Sequence, residues 1–369
     1  MFEQRIPITL TVLSPVHVGT GEDYIPTEYV IKDGYLHVLN RDAFMDYLIK
    51  EGKYQHFLFL CNISSPEGIF KIRQFIYDHF RPEFSVYKVK VSQAVAENYS
   101  QNLSDYAQIE TAVIASLAIA KLPRNPLNHQ VFIPGSSLKG SLRTAILNYL
   151  CQSQKGAVKQ CLADHSDKPR QNKARILEQC ILKKASANDT CSDPFRALKV
   201  SDLKMTKGNI KIDISYNLKS FQTQKHAQGI PVKMEYIAPG AAFTGTITIH
   251  KALFERQYAQ ITGLKTSLDQ KTLITACRYH YQNIWAEEKE RFHISAATTK
   301  DYQMWAPLPE KLNNPKLKQA CFIKLGKHSG AAAVTIAGFR KIVGGKDFQT
   351  TIWALDNMPM AWCLLETNG

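Results

Sequence analysis

Hydrophobic and polar residues alternate along the first stretch of the chain, RIPITLTVLSPVHVGTG. The hydrophobic positions of this pattern are Ile6, Ile8, Leu10 and Val12. A period of two predicts a β-strand with one buried face. The alternation stops at Pro15 and at the Gly19/Gly21 pair, so we expect the strand to run into a turn.

The next segments change from strand to helix patterns. EYVIKDGYLHVLN predicts a β-hairpin, because Asp33-Gly34 is a typical tight turn between two β-rich arms. RDAFMDYLIKEG predicts a helix that ends near Gly52, and SPEGIFKIRQFIYDHF predicts another. Short extended segments then lead through residues 84–120.

A glycine-rich turn, GSSLKG at residues 135–140, precedes an amphipathic segment, SLRTAILNYLCQ. The apolar face of this segment consists of Leu142, Ala145, Ile146 and Tyr149. Their helical spacing predicts a helix that packs on a sheet. Residues 151–192 are polar and basic, and we interpret them as an exposed helical insertion.

The second half resembles the first in outline. ALKVSDLKM and NIKIDISYNLKS predict strands, and VKMEYIAPGAAFTGTITIH predicts a strand that breaks at Pro239-Gly240 and then resumes. Residues 251–295 are mainly helical by composition, and TTIWAL predicts a closing strand. We therefore predict an α+β protein with two tandem domains, residues 1–205 and 206–369, each an antiparallel sheet covered on one side by helices.

The charge balance indicates a polyanionic partner. The 46 Lys and Arg against 32 Asp and Glu leave a net charge of +14 among 369 residues. Residues 311–346 contain eight Lys or Arg and no Asp or Glu. A solvated face usually carries charges of both signs. We therefore expect a nucleic acid, in preference to a membrane, as the partner. A generically basic protein would have the same charge balance.

The sequence predicts no membrane segment and no secretory leader, so we expect a cytoplasmic protein. Its eight cysteines contain no CxxC pair, so free thiols are expected. The alternative is a metal site formed by four cysteines and the histidine that lies among them, namely Cys151, Cys161, Cys180, Cys191 and His165. Their spacings are not those of known structural zinc modules, so we predict no metal site and no cofactor.

The GSSLKGSL turn resembles the start of a phosphate-binding P-loop, but Lys139 precedes the second glycine instead of following it. Nucleotide binding is therefore disfavoured. Ser136 or Ser137 is expected to cap the helix. Capping does not explain why Lys139 and Arg143 follow four residues apart, so we predict that this turn, which begins at Gly135, holds an oligonucleotide backbone.

A second basic turn, KLGKHSGAAAVTIAGFRKI, strengthens this prediction. Its cations and histidine are Lys324, Lys327, His328, Arg340 and Lys341. They cluster around Gly326, Gly330 and Gly338, where a ligand backbone can approach closely. A groove lined by both turns would bind single-stranded RNA or DNA electrostatically.

Five motifs between residues 14 and 342 together resemble the RAMP superfamily of CRISPR proteins. The motifs are SPVHVGTG, IPGSSLKGSLRTAI, ALKVSDL, EYIAPGAAFTG and LGKHSGAAAVTIAGFRKI. More narrowly, they resemble the family of the fifth subunit of type III-A Csm effector complexes. The resemblance implies two ferredoxin-like (RRM-like) domains whose glycine-rich turns face RNA.

The resemblance also implies a role and partners. Members of that family bind near the 3′ end of the guide crRNA beside other Csm RAMP subunits, and are needed for crRNA maturation in antiviral defence. Trimming is attributed to recruited host nucleases. The RNA-binding residues expected here are His17, Gly19, Gly135, Ser136, Ser137, Lys139, Arg143, Lys327, His328, Arg340 and Lys341.

The alternative is a metal-independent RNA endonuclease that acts on the crRNA precursor. His17, His129 and His328 lie in or beside the predicted RNA-facing turns, and histidine serves as both acid and base at neutral pH. No second catalytic group is tied to any of them by spacing. A metal-dependent nuclease would need clustered carboxylates, which the basic turns lack. We therefore predict a subunit without catalytic residues.

Overall fold

The computed structural model describes residues 2–104, 117–165, 173–219, 228–263, 266–292, 319–340, 349, 351–355 and 358–368. The strands are β1 Glu3–Val12, β2 Asp23–Tyr24, β3 Tyr29–Lys32, β4 Tyr35–Leu39, β5 Ser85–Val91, β6 Ile119–Ala120, β7 Phe132–Ile133, β8 Leu198–Val200, β9 Leu203–Lys207, β10 Ile210–Lys219, β11 Gln228–Ile237, β12 Ala242–His250, β13 Ala320–Lys324, β14 Thr351–Leu355, β15 Met358–Pro359 and β16 Trp362–Thr367.

The helices are α1 Arg41–Lys50, α2 Tyr54–Cys61, α3 Pro66–His79, α4 Gln93–Ser104, α5 Gly135–Ser153, α6 Lys155–Ala163, α7 Lys173–Leu182, α8 Arg256–Thr262 and α9 Gln270–Phe292. None of the helices in these ranges is long and apolar enough to cross a membrane.

The described strands form two sheets, so the α+β class is confirmed. The first sheet has the order β13-β16-β1-β12-β9-β7, and β8 also pairs with β12. The second has the order β2-β6-β11-β10-β5-β4-β3, and β14 and β15 extend it from β10. Each sheet takes strands from both sides of residue 205, while the two-domain boundary itself stays a prediction.

The largest core lies on the first sheet, under α5 and α9. The predicted inward face of β1 is confirmed, because its hydrophobic positions Ile6, Ile8, Leu10 and Val12 are all buried. Leu142 and Ala145 of α5 are fully buried against it, as the helical spacing predicted. A separate core forms where α1, α2 and α3 pack around Phe44 and Leu48.

Local turn chemistry is also confirmed for the first hairpin. Strands β3 and β4 pair with Lys32 opposite Tyr35, which leaves a two-residue loop. Asp33 and Gly34 both have positive φ, at 51° and 78°, as the favoured two-residue hairpin turn requires.

The chain segments at the two predicted strand breaks, Pro15 and Pro239-Gly240, lie side by side, and each connects a strand of one sheet to a strand of the other. Gly240 follows β11 of the second sheet and precedes β12 of the first, and its amide donates to the Val12 carbonyl over 2.8 Å. Beyond β1, Val16 forms an antiparallel bridge with Ile237. The breaks at Pro15 and at Pro239-Gly240 are therefore the points where the chain changes sheet.

Three expectations are corrected. The GSSLKG segment is not a turn before a helix, because α5 begins at Gly135 and includes it. Ser136 and Ser137 do not cap this helix, because they lie within its first turn, and its N-cap is Pro134, which makes no side-chain capping hydrogen bond. Cys161 and Cys180 form a disulfide, so the expectation of free thiols is wrong for this pair. The other six cysteines are free thiols, as expected.

Candidate nucleic-acid interface

Three of the segments singled out in the sequence meet at one cleft of about 690 Å³. It lies between the turn after β1, the first turns of α5 and the turn after β13. Its lining includes His17, Gly19, Thr20, Gly21, Glu22, Asp23, Ser137, Gly140, Ser141, Thr144, Lys324, Gly326, Lys327 and Ser329. We call this the three-turn cleft.

Backbone pairing joins the first and last turns. His17 and Lys327 form an antiparallel bridge in which the Lys327 amide donates to the His17 carbonyl over 2.8 Å. Gly326 has a φ of 87°, and a Cβ at that position would lie 2.3 Å from the His17 carbonyl oxygen. Only glycine allows this approach, so Gly326 brings Lys327 to the cleft.

Side-chain hydrogen bonds attach α5 to the same place. The Ser141 hydroxyl donates to the Lys324 carbonyl over 2.8 Å. At the start of the helix, the Gly135 amide donates to the Asp202 carboxylate over 2.8 Å, and a Cβ on Gly135 would lie 2.2 Å from the Val200 carbonyl oxygen. Asp202 therefore already satisfies the first amide of α5, and Gly135 allows close packing on the β8–β9 loop.

The helical register separates the residues that the sequence grouped together. Ser137, Ser141 and Thr144 line the three-turn cleft, whereas Lys139 and Arg143 do not. Residues three and four apart share a helix face, so Ser136, Lys139 and Arg143 lie on a neighbouring face. The hydroxyls and the two cations thus occupy different surfaces of α5.

The charge of Arg143 is balanced within the chain. Its guanidinium pairs with Glu178 of α7 at 2.6 Å and with Asp193 at 2.9 Å, and it stacks 4.5 Å from the Phe195 ring centroid. Lys139 is half-buried, and burial together with the nearby charges of Lys199 and Arg143 lowers its pKa. The sequence assigned both residues to an RNA backbone, and the geometry assigns Arg143 to an internal ion-pair network.

The basic turn after β13 divides in the same way. Lys327 is exposed at the cleft. Lys324 is buried and pairs with Glu288 at 2.5 Å, and the same carboxylate accepts a hydrogen bond from the Trp362 indole at 3.0 Å. Glu22 and Asp23, which the sequence analysis did not single out, are exposed along the lining. The cleft is therefore mixed in charge.

Two histidines lie at this junction with lowered pKa values. Burial lowers the pKa of His17, whose Nδ1–H donates to the Glu235 carbonyl over 2.6 Å. Burial, with the charges of Lys327 and His17, lowers the pKa of His328 to about 4, and its ring stacks on Trp353 at 3.9 Å. Both rings are therefore neutral at neutral pH. His129 stacks on Tyr87.

Glu235 is a buried residue behind the candidate site that the sequence reasoning missed. It is fully buried, and its carboxylate accepts from the Tyr24 hydroxyl at 2.8 Å, from the Leu122 amide at 2.7 Å and from Arg124 at 2.5 Å. Its own carbonyl orients His17. The available signal was a single acid within the apolar part of the EYIAPG motif.

The remaining predicted contacts lie elsewhere. Arg340 lines a second cleft of about 470 Å³ together with Asn148, Lys155 and His280, and it does not line the three-turn cleft. Ser136 is exposed at the start of α5. Lys341 lies outside the described residues.

Comparison with known proteins gives a family. A family model described as the RAMP superfamily matches residues 9–273. Proteins named CRISPR system Cms protein Csm5 are 25% identical over 249 residues in Methanocaldococcus jannaschii, and 25% identical over 235 residues in Streptococcus thermophilus. These matches cover 66% and 63% of this chain, but only 52% and 60% of the relatives' own lengths.

Two solved structures share the fold. One is a chain of a cryo-EM structure of a Csm-crRNA-target RNA ternary complex from a type III-A CRISPR-Cas system, with a TM-score of 0.63 and 22% identity over 98% of this chain and 100% of that chain. The other is the crystal structure of T. onnurineus Csm5, with a TM-score of 0.64 and 22% identity over 96% of this chain and 99% of that chain.

Proposed function

This chain belongs to the RAMP superfamily, and on that premise we propose that it is an RNA-binding subunit of a type III-A CRISPR effector complex. Its similarity to Csm5 proteins and to a chain of a Csm-crRNA-target RNA complex supports this assignment. In the proposal, the chain binds near the 3′ end of the guide crRNA beside other Csm subunits. It serves crRNA maturation in antiviral defence, with trimming by recruited host nucleases.

The observation that carries the proposal is the three-turn cleft. Its lining offers the Ser137 and Thr144 hydroxyls as donors and Lys327 as an exposed cation. Gly19 and Gly140 have no side chains, so a sugar-phosphate backbone can approach closely at both positions. Such a set binds the RNA backbone without reading bases.

Within this proposal the predicted residues take different roles. Gly19, Ser137 and Lys327 contact the RNA backbone. Residues that hold these contacts in place are His17, Gly135, Arg143 and His328. Ser136 and Lys139 form a second contact face on α5, and Arg340 and Lys341 extend RNA binding beyond the three-turn cleft.

The fold proposal is finer than the α+β class. Apart from the two-residue strand β7, the elements of the first sheet and its helices follow one another as β1, α5, the pair β8 and β9, β12, α9, and the pair β13 and β16. This is the β-α-β-β-α-β order of a ferredoxin-like unit. We propose that the second sheet, whose strands lie between these elements in the sequence, forms the other such unit.

Binding of single-stranded RNA by the Lys327→Ala variant tests the proposal. We expect affinity to fall about equally for unrelated RNA sequences, and the salt dependence to decrease by about one charge, because Lys327 neutralises one phosphate. Lys50→Ala is the matched control, since it removes an exposed lysine from α1. An unchanged salt slope in Lys327→Ala would contradict backbone binding at the cleft.

The alternative, an RNA endonuclease, is favoured by one observation: His17 pairs with Lys327, the residue before His328, so the two histidines lie at the same junction. Both rings are neutral at neutral pH. One of them can therefore act as a general base, but neither is protonated to act as the general acid. Incubation of labelled RNA with the protein, with and without chelator, separates the two functions. Intact, retarded RNA supports binding alone, whereas cleavage that is lost in His17→Ala supports the endonuclease.

A further inference from the structure

The helical insertion brings together three side chains with metal-ligating atoms. Cys161 lies in α6, His165 follows that helix, and Cys180 lies in α7. The ligand atoms of the three residues all lie within 4.8 Å of one another. The two cysteines form a disulfide, and their Cα atoms are 5.8 Å apart.

The histidine is held in a form that can bind a metal. Its Nδ1–H donates to the Cys161 carbonyl over 2.8 Å, so the neutral ring carries its lone pair on Nε2. A hydrogen bond from the second ring nitrogen to a carbonyl is the usual support of a metal-binding histidine. A cleft of about 400 Å³ beside His165, lined by Gln179 and Ser186, gives access from the surface.

We propose that, once reduced, Cys161 and Cys180 bind a divalent transition-metal ion together with His165, and that zinc is the preferred ion. Two thiolates and one imidazole are the soft donor set that suits Zn²⁺, and three protein ligands leave one tetrahedral position for water. Each thiol releases its proton to solvent when the metal binds. The disulfide must first accept two electrons from a thiol or phosphine reductant, so the disulfide and metal-bound forms exclude each other.

The insertion also contains a cysteine outside this cluster. Cys191 is an exposed free thiol, and it is not among the three clustered ligand residues. When a reductant opens the disulfide, Cys161 and Cys180 become available as thiolates. The metal would then link α6 to α7, which Glu178 already joins to Arg143 of α5.

Metal titration of the full-length protein, reduced with a phosphine, tests the site. We expect one equivalent of Zn²⁺ to bind, and Co²⁺ to produce a thiolate-to-metal charge-transfer band that Zn²⁺ displaces. Cys161→Ser and Cys180→Ser should lose the band. His165→Ala should keep thiolate absorption, but its Zn²⁺ affinity should fall by at least about tenfold.

Cys191→Ser is the matched control and should bind as the unmodified chain does. The disulfide form of the same chain, with its six other thiols left unmodified, should not bind the equivalent of Zn²⁺ or give the cobalt band. That comparison needs no substitution, so it decides the question even when a serine variant fails to fold. The proposal is overturned by a reduced protein without the cobalt band, by a band that persists when both cysteines are replaced, or by unchanged zinc affinity in His165→Ala.

Discussion

At the scale of single residues, Gly326 meets two requirements at once. Its φ of 87° is in the left-handed region, and the space for a Cβ is occupied by the His17 carbonyl. Gly140 differs in both respects, because it lies in α5 with open space around it. One glycine is therefore required by the tertiary structure, and the other is not.

We expect Gly326→Ala to lower the free energy of unfolding by about 2–3 kcal/mol, because the backbone must leave its position or strain the His17–Lys327 bridge. Gly140→Ala, the matched control, should raise it by about 0.5–1 kcal/mol through helix propensity. Urea denaturation of both variants measures the difference. Equal stabilities would show that the close approach at His17 is not a constraint.

A second residue-scale feature is the buried pair of Asn148 and His280. The Asn148 carbonyl oxygen accepts from the Ala337 amide at 3.0 Å, so its NH₂ group donates to His280 Nδ1 at 3.0 Å. The ring donates through Nε2 to the Ala333 carbonyl. A proton on His280 Nδ1 would face the NH₂ group of Asn148, so two donors would meet without an acceptor. Burial and the nearby Arg340 charge lower the His280 pKa to about 4.

This pKa predicts a loss of stability in acid. His280 binds a proton near pH 6.5 in the unfolded chain, but only near pH 4 in the folded chain. Its contribution to the free energy of unfolding is therefore complete above pH 6.5 and is lost as the pH falls from there through 4. In His280→Gln, the slope of the free energy of unfolding against pH across this window should decrease by the contribution of about one proton. Denaturation at neutral and acidic pH measures it, and an unchanged slope would contradict the assignment.

At the scale of elements, α5 connects the cleft to the insertion. One face presents Ser137 and Thr144 to the cleft, and the neighbouring face carries Arg143, which binds Glu178 of α7 and Asp193. The insertion is thus attached to the helix that carries the candidate RNA contacts.

Arg143→Ala is therefore expected to act on stability. Removal of the guanidinium takes away the cation that Glu178 and Asp193 share, although Lys184 stays 3.9 Å from Asp193, and this loss should lower the free energy of unfolding by about 2 kcal/mol. The salt dependence of RNA binding should stay unchanged, in contrast to Lys327→Ala. Urea denaturation and salt-dependent RNA titrations provide the two readouts. A decrease in the salt slope with unchanged stability would place Arg143 on the RNA instead.

At the scale of the whole molecule, β1 is an interior strand of the first sheet. This strand pairs with β12 on one side and with β16 on the other, and both partners come from residues 206–369. Both strands that flank the buried residues Ile8 and Leu10 of β1 are thus supplied by the second half of the chain.

We expect residues 1–205 expressed alone not to fold, since β1 lacks both neighbours. Coexpression with residues 206–369 should restore a folded, soluble complex. Near-ultraviolet circular dichroism of the fragment and of the copurified pair tests this. A cooperative unfolding transition in the isolated first half would contradict it and would support the boundary at residue 205 as a limit between independent domains.

The sequence by itself determined much of the local structure. Period-two alternation located β1 and β10, Asp33-Gly34 located the first hairpin, and apolar residues at helical spacing located the buried face of α5. These features are local, because backbone geometry sets both periods and a short segment contains the whole signal. Among the cleft-lining residues, Lys327 was found in a similar way, through glycines and cations clustered along the chain, whereas His17, Gly19 and Ser137 were expected as RNA contacts from the family resemblance.

Only the tertiary structure decided how these parts are used. The sequence does not state which distant groups meet, so it placed Arg143 and Lys324 with the exposed cations, although carboxylates more than 30 residues away pair with both. It brought Cys161 and Cys180 together only within an alternative metal site with Cys151, Cys191 and His165, and it did not predict their disulfide. Pairing and burial depend on long-range packing, and that packing separates an exposed cation such as Lys327 from a buried, paired cation such as Lys324.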